Sequence, residues 1–384
     1  MTRLEKLKVG EKKLSENQLV ISISAAFLGL IAGTLLIFLL GNDPFTAFAY
    51  LFKGGFMNLQ RIGNSLATAT TLFFAGLSIS VAFKTGLFNI GASGQMLMGG
   101  LFVTYVALNW NLPRPLMLIV LVVAAISGGA LWGAVSGLLK AFFHVNEVVS
   151  TILMNWIAYW IVYYAVQTYF KSGLLEIESR SLPSANTIRA PWLSNIFGTE
   201  YINYGIFLCI ITVIVIGIIL DKTTLGFELK AVGYNKSAAE YAGIKVNNSI
   251  IISMVMAGAL SGLAGLTYYA GYSVNMQVGV MPSQGFDGIA VALLGAGSSL
   301  GIALSSMFFA VLHVGKGFMT ANTSVPPEIA DTIIAVIIYF TATSLLLKRF
   351  WEKLEGAAFW KKFPVISIKR KKDKILTEDG KDEI

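Results

Sequence analysis

Long apolar runs separated by short polar, glycine-bearing or lysine-bearing breaks fill most of this 384-residue chain. Runs such as Leu19–Leu40, Leu116–Leu139 and Tyr204–Leu220 match the ~20 residues that an α-helix needs to cross a bilayer. They are continuous and lack the alternating pattern of membrane β-strands, so the elements they predict are helices. The first spans fall at about 19–40 and 62–83. A glycine-rich segment then leads into a third that ends near Leu108, and others follow at 116–139, from Asn146–Glu147, at 204–220 and at 249–271. Asn146 is placed to cap the fifth span and Glu147 to favour its positive N-terminal end. Gly41–Arg61 and Lys171–Asn203, the latter holding Pro183 and Pro191, read as external loops; 221–248 reads as cytoplasmic.

Two stretches break the simple pattern. Gly86–Gly100 is rich in glycine and interleaves Asn89, Ser93 and Gln95 among apolar residues. Hydrocarbon tolerates irregular, polar backbone only where protein buries it or water lines it, so this segment predicts a pore or carrier. The second stretch is 285–314. If it were one crossing, the tail with Lys348, Arg349, Lys353, Lys361, Lys362, Lys369, Arg370, Lys371 and Lys372 would lie outside, against the positive-inside rule. A short crossing at 285–297 and a separate return at 299–314, divided by Gly295, Gly297, Ser298 and Ser299, remove the conflict. Arg3, Lys6, Lys8, Lys12 and Lys13 place the other end in the cytoplasm as well. The expectation is an all-α integral membrane bundle of about ten transmembrane segments in two inverted five-helix halves, residues 19–347, between cytoplasmic tails 1–18 and 348–384. Paired interrupted segments in inverted halves point to a translocation path.

Composition agrees with the pattern: 55% of residues are hydrophobic and 13% charged, against about 25% charged in soluble domains. The net charge of +8 gathers in the tails and certain loops, which suits membrane orientation and anionic lipid and argues against nucleic-acid binding. Cys209 is the single cysteine and lies in an apolar run. His144 and His313 read as isolated, with no metal-ligand spacing around them. There is no phosphate loop of the Gly-x-x-x-x-Gly-Lys-Ser/Thr type and no nucleophile–base–orienter set, so neither ATP binding nor catalysis is expected of this chain.

Asp287 is the carboxylate expected deepest in the membrane, where an ionisable group faces a bundle interior or a water path. An N-terminal capping role for the short helix after it is the competing reading. Asn89 and Gln95 suit hydrogen bonds to a sugar hydroxyl or base edge, and equally ties between the glycine-rich backbone and neighbouring helices; Asn155 and Trp156 are placed to line the pathway, or to make interhelical polar contacts and aromatic packing. In the 221–248 loop, Ser237 is placed to cap a short helix through Tyr241 and Gly243 to end it. Such a helix suits a lipid surface or a partner's groove.

That loop, with Gly233, Asn235, Ala238, Ala239, Tyr241 and Gly243, resembles the coupling helix by which ABC importer permeases meet their ATPase. Gly86–Gln95, Asn146–Ile152, Gly285–Gly295 and Pro327–Asp331 complete a resemblance, over about residues 20–347, to nucleoside-type permeases of the branched-chain amino acid and simple-sugar permease superfamily. Where this chain has Ser93, the usual pattern has an acidic residue. The resemblance implies a type II ABC importer-like permease subunit in a bacterial plasma membrane. It also implies a cytoplasmic ATPase that uses ATP and magnesium, a second homologous permease subunit and an extracellular lipoprotein that binds substrate. Nucleosides are the implied substrates, with simple sugars such as ribose or galactose as the alternative. An ion-coupled secondary transporter and a membrane-embedded enzyme are the rivals outside this family.

Overall fold

A computed structural model of the chain describes residues 18–173 and 177–343. Residues 22–342 form one compact unit, and 18–21 and 343 belong to a second that takes in the two chain ends. The basic tails assigned to the cytoplasm above lie outside the described residues. Among the described residues the structure is helical, with three isolated β-bridges and no strand.

The helices are α1 (Gln18–Leu39), α2 (Pro44–Phe56), α3 (Leu59–Lys84), α4 (Ala92–Asn109), α5 (Arg114–Phe143), α6 (Glu147–Ala165), α7 (Pro191–Phe197) and α8 (Gly205–Lys222). They continue with α9 (Thr224–Tyr234), α10 (Lys236–Tyr241), α11 (Val246–Leu266), α12 (Gln284–Leu294), α13 (Ser299–Asn322) and α14 (Pro327–Ala342). Short π-helical turns extend α6 to Phe170 and α11 to Tyr272. Side-chain caps fix several starts: Asn58 accepts from the Arg61 amide, Asn146 from Val148 as the sequence implies, and Ser298 from Gly301.

Among the described residues six helices are long and apolar enough to cross a membrane: α3, α5, α6 and α11 with their π extensions, α8 and α13. The chain is therefore a multi-pass membrane protein. Burial sorts these six into an inner and an outer set. The apolar windows of α3 and α11 are 83% and 72% buried, whereas those of α5 and α8 are 28% and 17% buried, so α3 and α11 form the axis of the bundle. Outer faces present Ile210, Ile211 and Ile214 of α8 and Ile119 and Val123 of α5, apolar groups suited to lipid.

Lipid removes the usual hydrophobic drive between helices, so close contact must come from small residues. Here α5 and α11 meet through Gly129 and Gly133 on one side and Gly258 and Gly262 on the other. A Cβ on Gly129 or Gly258 would overlap the other's carbonyl oxygen. On the far side of the unit, α2 lies against α13, with Gly54 and Gly55 facing Gly315 and Val311. The hydroxyls of Ser78 and Ser261 tie α3 to α11 at 2.8 Å, and Ser78 donates onward to the Ala257 carbonyl at 2.6 Å.

Two expectations need correction. Gly41–Arg61 is not a plain loop, because α2 occupies most of it. Asp43 caps that helix through the amides of Phe45 and Thr46, and Pro44 fills its first turn. At 13 residues, with Lys53 on it, α2 is too short and too polar to read as a span. Likewise Ser237 does not cap the short loop helix: Asn235 does, accepting from the Ala238 amide at 3.0 Å. Gly243, with φ 84°, follows that helix in the left-handed conformation that the sequence assigns to it.

The division of 285–314 matches the sequence reading. α12 stops at Leu294, Ala296 and Gly297 turn with φ 51° and 64°, and α13 starts at Ser299. The segment read as an external loop packs back on the bundle. Leu182 and Ile188 donate amide hydrogen bonds to the carbonyls of Val274 and Ala270, and the Arg189 guanidinium donates to those of Gly271 and Tyr272.

Candidate functional site

The two interrupted segments singled out by sequence meet each other. Gly91 ends the non-helical stretch after α3 and α4 begins at Ala92, so Ser93 sits in the first turn of α4. The approach to α12 contains Pro282, and Gly285 sits in the first turn of α12. The Ser93 hydroxyl donates to the Pro282 carbonyl at 2.9 Å, fully buried. Gly285 lies so close to Ser93 that an added Cβ would stand 2.5 Å from its backbone nitrogen and 2.6 Å from its Cα. Gly288, one turn on, packs on Ala75 of α3, where an added Cβ would stand 2.8 Å from the Ala75 carbonyl carbon and Cβ. Two half-helix N-termini therefore converge inside the bundle, and each brings a positive dipole end. Neither Pro282 nor the Ser93 contact is visible in the sequence pattern, where Ser93 stands out as a polar residue of the glycine-rich segment and for departing from an acidic residue.

Asn89, Gln95 and Asn155 are brought together beside this junction, all buried. The Asn89 amide donates to Gln95 Oε1 at 2.9 Å, and Gln95 donates back to Asn89 Oδ1 at 3.2 Å. Asn155, on α6, donates to the Ile90 carbonyl at 3.0 Å and accepts from the Gly94 amide at 2.8 Å. These bonds satisfy the backbone that the break before α4 leaves open, as low-dielectric surroundings require. The three residues thus hold the broken segment in shape. The neighbouring Trp156 is 54% exposed on the outer face of α6, away from this network.

Asp287 belongs to the same junction but plays no capping role, since the cap position is Ser283 and Asp287 lies within α12. Its partner is His313 of α13: Oδ2 and Nε2 are 3.2 Å apart, at ion-pair distance but without hydrogen-bond alignment. Sequence reading treats His313 as isolated, because 25 intervening residues and a helix reversal hide the pairing. The signal for it is the general rule that an intramembrane carboxylate has a partner. One turn further along α13, Lys316 binds Asp331 of α14 at 2.8 Å. Among the described residues no group of three or more histidine, cysteine or acidic side chains is placed to hold a metal.

The 223–246 segment reaches the other end of the broken stretch. α9 ends at Tyr234, and Gly233 abuts Lys84 and Gly86 so tightly that a Cβ would overlap the Lys84 carbonyl. Gly86 takes φ 70°, a turn that redirects the chain from α3 into the interrupted segment. α10 buries Ala239 and leaves Ala238 and Tyr241 exposed, Tyr241 at 97% and the preceding Tyr234 at 92%. Two nearly naked tyrosines thus stand beside a short capped helix.

Comparison with known proteins agrees with this architecture. The family described as branched-chain amino acid transport system permease component matches residues 61–342. The chain is 36% identical over 337 residues to the nucleoside ABC transporter permease protein NupB of Lactococcus lactis, covering 86% of this chain and 92% of that one. It is 34% identical over 345 residues to the guanosine ABC transporter permease protein NupP of Bacillus subtilis, covering 90% and 98%. A glucose ABC transporter permease protein, TsgB13 of Haloferax volcanii, is 31% identical over 337 residues, covering 86% and 88%. No solved structure matches significantly. A multi-pass bundle with a broken, polar-lined interior and a match over most of its length make the chain a transport component, not an enzyme: it belongs to the branched-chain amino acid transport system permease family of ABC transporters.

Proposed function

We propose that this chain forms the membrane pathway of an ATP-driven importer of nucleosides. The observation that carries the reading is the meeting of the two interrupted segments at Ser93, Pro282 and Gly285, within a family whose relatives include permeases named for nucleosides and guanosine. Broken helices whose positive ends converge inside a bundle suit a polar, hydroxyl-rich solute. Asn89, Gln95, Asn155 and Asp287 surround that path, the first three as its scaffold and Asp287 as its ionisable group.

Ten crossings follow if α1, α4, α12 and α14 join the six long helices. Packing supports two inverted halves. α3 of the first half packs on α12 and α13 of the second, while α11 of the second packs on α4 and α5 of the first. On this topology both ends of the chain lie in the cytoplasm of a bacterial cell and the 171–203 segment lies outside.

The 221–248 loop, with Gly233, Asn235, Ala238, Ala239, Tyr241 and Gly243, is then the surface that docks a cytoplasmic ATPase. That partner uses ATP and magnesium, and this chain binds neither. ATPase closure moves α9 and α10, and Gly233 transmits the motion to Lys84, Gly86 and the broken segment ahead of α4. Differential stability of two packings turns that motion into alternating access. A second homologous permease in a heterodimer and an extracellular lipoprotein that delivers substrate complete the assembly.

The glucose-named relative supports a second reading, a simple-sugar permease. Co-expressing the chain with its partner subunits and binding protein, purifying the loaded complex and identifying the bound small molecule separates the two. A nucleoside supports the proposal; ribose, galactose or glucose in its place overturns the substrate assignment.

A further inference from the structure

A second group of polar and aromatic side chains lies between the outer end of α11 and α12, beside the Ser93 junction. Ser273, Gln277, Val280 and Pro282 line a narrow crevice with Tyr268 and Tyr269. Pro282 accepts the Ser93 hydrogen bond, so the crevice ends at the junction itself. On the side away from Ser93, Tyr272 lies parallel to Tyr268 with ring centroids 5.9 Å apart, and Tyr201 stacks on Tyr272 at 4.6 Å. Three tyrosine rings thus lead from the 171–203 segment down to the crevice.

Below the rings, hydrogen-bonding capacity stands unspent. The Gln284 amide is within hydrogen-bonding reach of the Tyr268 hydroxyl. Gln284 Oε1, Asp287 Oδ2 and His313 Nε2 are all buried, yet none has a hydrogen-bond partner among the described residues. Gln284 and Asp287 are three residues apart on one helix and so share a face. Asp287 as a whole is 8% exposed. Asp287 Oδ2 and His313 Nε2 face each other at 3.2 Å without hydrogen-bond alignment, and Gln284 Oε1 stands one turn away on the same helix as Asp287. Buried polar atoms are normally satisfied, so these mark a place where something else supplies the bonds.

We propose that Tyr268, Gln284, Asp287 and His313 form a nucleoside subsite on the outer side of the pathway, with the base face on Tyr268 and the ribose hydroxyls on the Asp287–His313 pair. The proposal rests on the nucleoside reading above and adds to it the residues that select the solute. A flat π-system stacks on an aromatic ring whatever its edge pattern, so Tyr268 accepts purines and pyrimidines alike. A carboxylate accepts from both hydroxyls of a cis-diol, and a ring nitrogen beside it adds a third contact. The crevice is narrow in this packing, so nucleoside entry requires it to widen in an outward-facing one, with the junction of Ser93 with Pro282 and Gly285 as its floor.

The test uses the complete transporter in proteoliposomes with external binding protein saturated by either guanosine or 2′,3′-dideoxyguanosine, so that only the transport step is compared. Asp287→Asn is expected to slow guanosine import about tenfold while leaving the dideoxy compound within about twofold of wild type. Tyr268→Leu is expected to slow both about tenfold, and Tyr268→Phe to keep both near wild type, because the ring face survives. Equal slowing of the two solutes by Asp287→Asn means a structural role and overturns the proposal, as does unchanged import by Tyr268→Leu. Gel filtration of each complex separates misfolding from selectivity, and the conservative Tyr268→Phe keeps the ring assignment testable. Wild-type transporter that imports neither compound overturns the nucleoside reading itself. Normal wild-type import with unselective variants overturns only the subsite.

Discussion

Gly285→Ala is the most exposing perturbation of the junction. The new Cβ would stand 2.5 Å from the Ser93 nitrogen and 2.6 Å from its Cα, whereas ordinary contact begins near 3.4 Å. α12 and α4 must therefore separate by nearly an ångström. Both atoms are backbone, so no side-chain rotation relieves the clash. Overpacking of a tight core costs about 1–3 kcal/mol. Losing the buried Ser93–Pro282 hydrogen bond adds about 1 kcal/mol. A penalty of about 2–4 kcal/mol against this packing corresponds to a shift of roughly 30-fold to several hundred-fold between packings. Initial-rate import by the complete transporter should fall at least tenfold, and the solubilised complex should melt earlier. Ser93→Gly combined with Gly285→Ala should recover part of the loss, because the hydroxyl is also among the close atoms. Gly285→Ala complexes with wild-type import and wild-type melting would mean that the junction tolerates the added methyl and does not control the packing.

The other expectations are more local. Gly233→Val should drive α9 off Lys84 and leave ATP hydrolysis running while import falls at least tenfold; parallel ATPase and uptake assays read this, and coupled wild-type behaviour counts against it. Asn89→Ala leaves the Gln95 amide without its partner in a dry interior, so the complex should lose about 1–3 kcal/mol of stability in thermal or denaturant melting, with wild-type melting as the contrary result. Gly129→Leu should separate α5 from α11 and lower folded yield in detergent; yield equal to wild type would deny the glycine contact its role. The Thr46 hydroxyl and then the Thr46 amide hold the Asp43 carboxyl below its ordinary value of 3.8. Its contribution to α2 is therefore full above that pH and disappears as pH falls through the lower folded value; Asp43→Asn should flatten the acid limb of a melting-versus-pH curve, and an unchanged limb would remove the cap from the account.

Much of the site was readable in sequence, and for physical reasons. Glycine and amide side chains inside hydrocarbon announce broken backbone, and charge placement forces a break at 295–298; the structure bears out both and joins them. Asn146 was legible as a cap because the side chain that caps is the one next to the apolar run. Contacts that depend on the third dimension were not legible. Asp287 and His313 are brought together only by the reversal between α12 and α13. The α2 helix hid because its apolar face is matched to α13 through Gly54 and Gly55, not to lipid, so no span-length run marks it. Asn235 displaced Ser237 because two candidate caps stood two residues apart, and local spacing alone does not rank them. Asn89 and Gln95 were visible as polar residues, but their mutual bonding, which spends most of their capacity on the scaffold, required coordinates.

Uptake of radiolabelled guanosine by proteoliposomes holding this chain with its ATPase and second permease tests the central claim most directly. The account predicts accumulation against a gradient only when ATP and magnesium reach the ATPase face and binding protein is present on the other. Accumulation by the chain alone, driven by a proton gradient without ATPase or binding protein, would contradict it.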